Sequence, residues 1–493
     1  MLPVVLLLGA CAGRAADAGP VERLRFTECA DRLPVAEANI GQSRLDRLEF
    51  SCARLPVPLN HADPDGAQLS VAVVRVRSHD QQRRLGSLVL NPGGPGQSGS
   101  AYVAYWASWL SDDVLSRFDV VTFDPRGTGA SEPIDCGPVP ADTELSRFPD
   151  LLSETGYAAA AAVSRQPMDA CAQVLGRRAP FFSTQQTARD LELLRQALGD
   201  RRLTYVGFSY GAKLGAEYAH QFPERVRALV LDAPSDPSKD PVAVTEAQVA
   251  AFERSFQSWA DDCPARPTCA PLGDPRTYVA DLVARAGDAP IASRRPGGDL
   301  PATGADVMEA VQALLYQQAT WPLLDDALAE ATAGDSGSIH EAIDHANGRS
   351  GADDGVPDPA DAGLVINCND RPPGPTEAEI KAAARRLTAR LPVFGAWGSW
   401  GLFGCAFWPV ERHVLEPPTA PTAALVLVVG SVGDPATPYA GAVRLVEALG
   451  HATLLTWEGN GHTAYGQSDC INHLVDDYLI RRAAPDPGTH CPG

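Results

Sequence analysis

The five residues Gly207-Phe208-Ser209-Tyr210-Gly211 constrain this chain more than any other segment. They follow an apolar run, Leu203-Thr-Tyr-Val-Gly, and precede a helix-like stretch, Ala212-Lys-Leu-Gly-Ala-Glu-Tyr-Ala-His. The pattern is G-x-S-x-G between a strand and a helix, the context of a nucleophile elbow. Such a turn is tight, so small residues must flank the serine. It lifts the hydroxyl above a sheet edge, at the N-terminus of a helix whose dipole favours negative charge. A bare G-x-S-x-G is common. Its meaning depends on whether the rest of the chain supplies a base, an acid and oxyanion donors.

The surrounding pattern is α/β. Apolar, β-branched runs recur at Leu69–Val76, Gly86–Asn91, Asp119–Asp124, Leu203–Phe208, Ala228–Asp232, Ala424–Gly430 and Thr453–Glu458, most of them running into a Gly- or Asp-rich turn. Several read as continuously buried strands of a mostly parallel sheet covered on both faces. Helical patterns alternate with them: Thr187–Leu198, with Thr187 as N-cap, and Ala440–Leu449, each stopping before a glycine. The alternation implies an α/β fold with helices flanking the sheet.

Alternation fails between about Pro234 and Pro421. Helical patterns fill that segment: Val244–Trp259, Asp306–Gln318, Leu323–Ala333 and Glu377–Arg390. Gly334–Ala362 reads as the least structured part. We therefore divide the chain into an N-terminal segment (1–20), a first part of the core (21–233), a mainly helical lid inserted between late strands (234–420) and a second part of the core (421–493). A chain of 493 residues exceeds what one simple core holds, which fits a core with an insertion.

Composition narrows the partners. The formal net charge of -20 argues against nucleic acid or an anionic membrane surface as a partner. Met1 to Gly9 is apolar, and Leu8-Gly9-Ala10-Cys11 resembles a lipobox at the end of a secretory signal, with Cys11 as the lipidated residue. No Lys or Arg precedes the apolar run, which departs from the usual signal pattern. The segment is too short to span a bilayer. With Cys11 set aside, ten of the eleven cysteines remain, an even number suited to disulfides in an exported protein. Sequence does not fix their connectivity. Sequential pairing is the expectation: Cys29–Cys52, Cys136–Cys171, Cys263–Cys269, Cys368–Cys405 and Cys470–Cys491. No C-x-x-C pair occurs, so a metal role for them is disfavoured. The expected protein is secreted or held at the cell surface through Cys11, and monomeric.

A serine nucleophile needs a base, and the base needs an orienting carboxylate. In α/β-hydrolases the order is Ser, acid, His, with the last two in loops after late strands. The run Ala424–Gly430 leads into Ser431-Val-Gly-Asp434-Pro-Ala-Thr437. The run Thr453–Glu458 leads into Gly459-Asn-Gly-His462. Asp434 is the preferred acid because its loop lies one helix–strand unit before His462. Asp232, after Ala228–Leu231, satisfies the same order and stays open as a rival. Thr437 either helps orient Asp434 or only stabilises its turn. His473, in a later helix-like segment, reads as structural. The backbone N–H of Tyr210 supplies one oxyanion donor. The other comes from Asn91-Pro-Gly93-Gly94-Pro95-Gly96, where Gly94 is favoured and Gly93 is the near alternative. No Walker motif occurs, and no cofactor or metal is called for.

Five segments in order complete a resemblance: Asn91-Pro-Gly-Gly-Pro-Gly96, Asp124-Pro-Arg126-Gly127-Thr-Gly129-Ala-Ser131, Gly207-Phe-Ser-Tyr-Gly211, Gly433-Asp434-Pro-Ala-Thr-Pro and Gly461-His462. Together they resemble the secreted tripeptidyl-aminopeptidase-like α/β-hydrolases of actinobacteria, relatives of prolyl aminopeptidases. The resemblance runs from about Leu69 to Cys470. It implies Ser209, Asp434 and His462 as triad, the GGPG segment as oxyanion hole, and release of short peptides from free N-termini. It also implies that Arg126 organises the site without doing chemistry. An aminopeptidase must hold an ammonium group. Among 61 acidic residues, Glu309, Asp325, Asp326 and Asp370 in the lid are the candidates. Trp321, Trp397 and Trp400 are candidates for an apolar subsite, or for lid packing. A carboxylesterase or lipase with the same triad is the second reading. A catalytically inactive surface binding protein is the third.

Overall fold

The computed structural model describes residues 21–493 except positions 36, 37, 39, 82, 138–149, 239, 296–300 and 348–356. Cys11 and its lipobox lie outside the described residues. The strands, in chain order, are β1 (Thr27–Glu28), β2 (Leu48–Pro58), β3 (Gln68–Ser78), β4 (Gly86–Asn91), β5 (Phe118–Phe123), β6 (Leu203–Phe208), β7 (Val226–Asp232), β8 (Val426–Ser431), β9 (Ala452–Trp457) and β10 (Thr489–Cys491). They form one sheet in the order β1-β2-β3-β5-β4-β6-β7-β8-β9-β10. β1, β2, β3 and β5 pair antiparallel. Every pairing from β5 through β4 to β10 is parallel. This is the α/β-hydrolase architecture: a mostly parallel sheet flanked by helices.

The central strands are buried on both faces because their side chains alternate between two apolar layers. On one face Val89, Tyr205, Leu229 and Val428 pack with the helices Thr184–Leu198, Tyr210–Gln221 and Tyr439–Leu449. On the other, Leu88, Leu90, Val206, Val230 and Leu427 pack with Gly99–Trp109 and Asp469–Arg481. A one-residue slip in any of these strands would exchange the two layers, which fixes register.

Three local expectations change. β2 did not stand out in sequence, because Pro56 and Pro58 interrupt its apolar alternation. β1 covers only Ser51 and Cys52 of β2, so the two prolines lie where β2 is a sheet edge and donors are not needed. The helix before β6 starts at Thr184, with Ser183 as its N-cap accepting from the Gln186 N–H. Thr187 instead donates back to the Ser183 carbonyl at 3.0 Å. The stretch 334–362 holds a helix, Gly337–Ala346, whose Ile339, Ala342 and Ile343 are buried, and the start of another, Pro359–Asp370. Its Gly, Asp and Ser content masks that short apolar face.

Between β7 and β8 the chain runs through helices from Pro241–Asp262 to Phe394–Gly398. Most of them share an apolar cluster that includes Phe256, Trp259, Val311, Trp321 and Phe394, while Pro359–Asp370 packs Ala362, Val365 and Ile366 into the core cluster on the sheet. Within that segment an isolated bridge, Gln317 to Gly461, ties it to the loop after β9.

Among the described residues five disulfides form, Cys29–Cys52, Cys136–Cys171, Cys263–Cys269, Cys368–Cys405 and Cys470–Cys491. They fit an oxidising, extracytoplasmic compartment. No helix among the described residues is long and apolar enough to cross a membrane. Cys368–Cys405 closes a loop with a sequence separation of 37 and staples the helix Pro359–Asp370. Replacing both cysteines by serine is expected to lower stability by about 4 kcal/mol, read by urea unfolding. Non-reducing mass spectrometry is expected to find no free thiol at the ten paired positions.

Candidate active site

Ser209 occupies the turn between β6 and the helix Tyr210–Gln221. Its φ of 56° lies in the left-handed region, which a non-glycine residue adopts only under constraint. The constraint is steric. A methyl group on Gly207 would sit 2.1 Å from the Gly211 carbonyl oxygen, and one on Gly211 would sit 2.6 Å from the Asn91 carbonyl oxygen. The Ser209 N–H donates to the Asp232 carbonyl at 2.9 Å, fixing the turn to β7.

His462 and Asp434 meet as an acid–base pair. The imidazole Nδ1 lies 2.9 Å from Oδ2 and 3.0 Å from Oδ1 of Asp434. Asp434 is buried, and also accepts the N–H groups of Ala436 at 2.8 Å and Thr437 at 2.9 Å, with the Thr437 hydroxyl 2.9 Å from Oδ2. Two N–H donors, a neighbouring hydroxyl and the imidazole thus surround the buried carboxylate with polar partners. Burial pushes the imidazole pKa down, but the charge and hydrogen bond of Asp434, with a contribution from Asp232, outweigh it and hold His462 above its ordinary value. The main chain of His462 is clamped from the helical segment: its N–H donates to the Tyr316 carbonyl at 2.8 Å, and its carbonyl accepts from the Gln317 amide. The Tyr316 ring stands edge-on to the imidazole, centroids 5.5 Å apart. Nothing in the local sequence around Tyr316 and Gln317 signals this role.

Ser209, His462, Gly94, Tyr210 and Tyr316 line one cavity of about 340 Å³. Tyr210 is the first residue of its helix, so its N–H has no intrahelical partner. The Gly93 N–H is already taken by Asn91 Oδ1 at 3.1 Å, which points to Gly94 as the donor from that loop. Ser209, the His462–Asp434 pair, Tyr210 and Gly94 thus surround one cavity. That set is suited to acyl transfer.

The rival acid has a different place. Asp232 is fully buried and accepts the N–H groups of Ala464 and Tyr465, not the imidazole. Arg126, also fully buried, is bidentate to Asp190 at 2.7 and 2.6 Å and reaches the carbonyls of Pro58, Leu59 and Phe181, so it ties those segments together; none of them lines the cavity. His473 is an exposed helix residue bonded to the Asp469 carbonyl.

The expected substrate contacts mostly fall elsewhere. Of the four lid acids only Asp370 lines the cavity, and its charge is already met: Lys213 Nζ lies 2.9 Å away and Thr184 donates both N–H and hydroxyl. Glu309 faces Asn347 at 3.1 Å, away from the cavity. Asp325 is buried against Trp259, Arg266 and Thr268. Asp326 is exposed and does not line the cavity. Trp321, Trp397 and Trp400 pack in the helical apolar cluster, with Trp397 donating to Gln312 at 2.8 Å. Helical periodicity marks such residues as inward-facing but not what they face. The acids at the cavity wall are Glu217, Asp236, Asp370 and Glu416, joined by Lys213, Arg371 and Arg444.

Known proteins share this layout. A model of the alpha/beta hydrolase fold matches residues 86–319, and a model described as TAP-like protein matches residues 391–491. The chain is 32% identical over 514 residues to the serine protease Hip1 of Mycobacterium tuberculosis, covering 99% of this chain and 96% of that one. It is 31% identical over 486 residues to a tripeptidyl aminopeptidase of Streptomyces coelicolor, covering 95% and 85%. It is 34% identical over 457 residues to carboxylesterase B of Mycobacterium tuberculosis, covering 89% and 86%.

The close approach of Gly207 to Gly211 yields a direct test. Gly207→Ala is expected to cost about 1–3 kcal/mol by overpacking, read by chemical denaturation, and to abolish fluorophosphonate labelling of the folded fraction.

Proposed function

We propose that this chain, which belongs to the TAP-like α/β-hydrolases, is a serine exopeptidase that releases short peptides, above all tripeptides, from free N-termini. The observation that carries this reading is the His462–Asp434 pair on the cavity that also holds Ser209 in its strained turn. In this reading Ser209 Oγ attacks the scissile carbonyl as His462 Nε2 takes its proton. Asp434 holds the opposite ring nitrogen and stabilises the imidazolium. The N–H groups of Tyr210 and Gly94 receive the developing oxyanion, each being worth about 10²–10³ in rate. The amine leaves with the proton from His462. Water then enters, His462 takes its proton, and the acyl-enzyme opens to release the peptide with a new carboxylate.

Residues 234–420 form the lid in this reading, with Val244, Gln248 and Tyr316 facing the reacting groups. The acids at the cavity wall supply the negative field that an N-terminal ammonium needs. Lys213 closes on Asp370 and Arg444 on Asp236, which leaves the wall mixed rather than uniformly acidic. For location, we read Leu8-Gly9-Ala10-Cys11 as an export and lipid-attachment signal. The relative named carboxylesterase gives the second reading, an esterase with the same groups.

Asp434→Asn is expected to lower kcat by about 10⁴ in a folded protein. In the wild type, His462 must be neutral to act. Because its pKa is raised, activity is expected to fall away on acidification already above the ordinary histidine value of 6.5. Chromogenic tripeptides with free and acetylated N-termini, beside a p-nitrophenyl ester, decide the substrate. Turnover of the free tripeptide alone is expected. Equal cleavage of the acetylated one refutes the exopeptidase reading, and ester-only turnover favours the second.

A further inference from the structure

The dipeptide Asp232-Ala233, at the end of β7, touches the support of all three proposed catalytic residues. The Asp232 carbonyl accepts the Ser209 N–H at 2.9 Å. The Ala233 carbonyl lies 3.0 Å from the Thr437 hydroxyl, which is also 2.9 Å from Asp434 Oδ2. The Asp232 carboxylate gathers the N–H groups of Ala464, at 3.0 Å, and Tyr465, at 2.8 Å, just past His462.

We propose that Asp232 is a positioning residue for the base: its carboxylate holds the turn at Thr463 and so fixes where the His462 imidazole stands. This deepens the triad reading and rests on it.

Three observations converge. First, Thr463 has a φ of 71°, and a β-branched residue in that region is a genuine outlier. Such a conformation persists only where its surroundings over-determine it. The bonds from Ala464 and Tyr465 to one carboxylate are the restraint directly after it. Second, Ala233 has a φ of 52°, so the end of β7 is itself bent out of strand geometry where it carries the carboxylate under the His462 loop. Third, Asp232 is fully buried, and no cation is bonded to it among the described residues. A buried carboxylate of that kind is costly unless its donors are specific.

The charged groups facing Asp232 are His462 and Asp434, on the loops after β9 and β8. Burial raises its pKa, the Tyr465 and Ala464 N–H groups and His462 draw it back, and Asp434 adds to the rise; the outcome is about 7. The sign of the coupling follows. Ionised Asp232 favours protonated His462. Removing its charge therefore lowers the pKa of the base. A carboxyl that merely stabilised the fold would change unfolding without moving the pH profile of a folded enzyme.

The test is Asp232→Asn in the full chain, assayed with the free tripeptide and, independently of substrate, by the rate of fluorophosphonate labelling. We expect kcat and the labelling rate to fall by about ten-fold or more, KM to change by less than about two-fold, and the acidic limb of the rate profile to move to lower pH. Adding Thr463→Gly removes the strain that Asp232 opposes, and is expected to recover part of the lost kcat. A folded Asp232→Asn enzyme with wild-type kcat and limb overturns the proposal. So does a loss that matches only the unfolded fraction, with the limb unmoved. Should that variant not fold, hydrogen exchange in the wild type carries the decision. Protection of the segment containing Ala464 and Tyr465 is expected to rise, relative to intrinsic rates, as pH falls from about 8 to about 6, because the closed turn binds a proton at Asp232 that an opened one does not. Flat protection over that range overturns the proposal. His462→Ala separates failures: if that variant still labels, the triad reading fails whatever Asp232 does.

Discussion

The site hangs on one steric constraint, the contact of three backbone segments around Ser209. Gly207 and Gly211 allow β6 and the helix after it to fold back within a distance that no side chain tolerates, and the loop after β4 presses on the same point. A methyl group on Gly93 would lie 2.5 Å from the Phe208 carbonyl oxygen. Nearness of that loop is what sets Gly94 and Tyr210 on the same cavity. The strain at Ser209 is therefore not local decoration. It is held by the pairing of β4 with β6 and of β6 with β7, whose side chains fill both apolar layers. Strain of this kind costs about 1–3 kcal/mol, which a sheet buried on both faces can sustain.

His462 is anchored on two sides of the molecule. The core supplies Asp434, and the helical segment supplies Tyr316 and Gln317. An imidazole held in this way has little freedom to turn, and that precision is what proton transfer at hydrogen-bond distance requires. The helical segment thus reaches His462 itself. If its helices shift, the main chain of His462 shifts with them. Asp370 makes the reciprocal link, joining the helix Pro359–Asp370 to Thr184 and Lys213, and through Thr184 to the Tyr210 hydroxyl at 2.7 Å.

What sequence revealed and what it hid follow one physical line. Ser209, Asp434 and His462 sit in turns between regular elements, where Gly, Pro and Asp are demanded by backbone geometry and leave a visible pattern. The strands β4 and β6 were legible to the residue, because a strand buried on both faces shows as an unbroken apolar run. β2 was not, since edge prolines mimic a loop. Contacts across the chain leave no such trace. Nothing near Gln317 shows that it meets His462, and nothing near Glu309 or Trp397 shows that they face away from the cavity. Asp232 was visible as an acid after a strand, which is why it competed with Asp434. Only the direction of its hydrogen bonds separates a carboxylate that meets the imidazole from one that meets the loop behind it.

The pairing of charges bears on what the cavity can accept. A chain with a net charge of -20 could have lined its pocket with acids alone. Instead Lys213 meets Asp370 and Arg444 meets Asp236 at the wall. An unpaired buried acid would protonate before it attracted a ligand, whereas a paired one keeps its charge and orients its partner. On the proposed reading, an ammonium entering such a wall is recognised by where the acids stand, not by their number. A volume of about 340 Å³ lies near the lower end of ligand pockets, roughly 300–1,000 Å³.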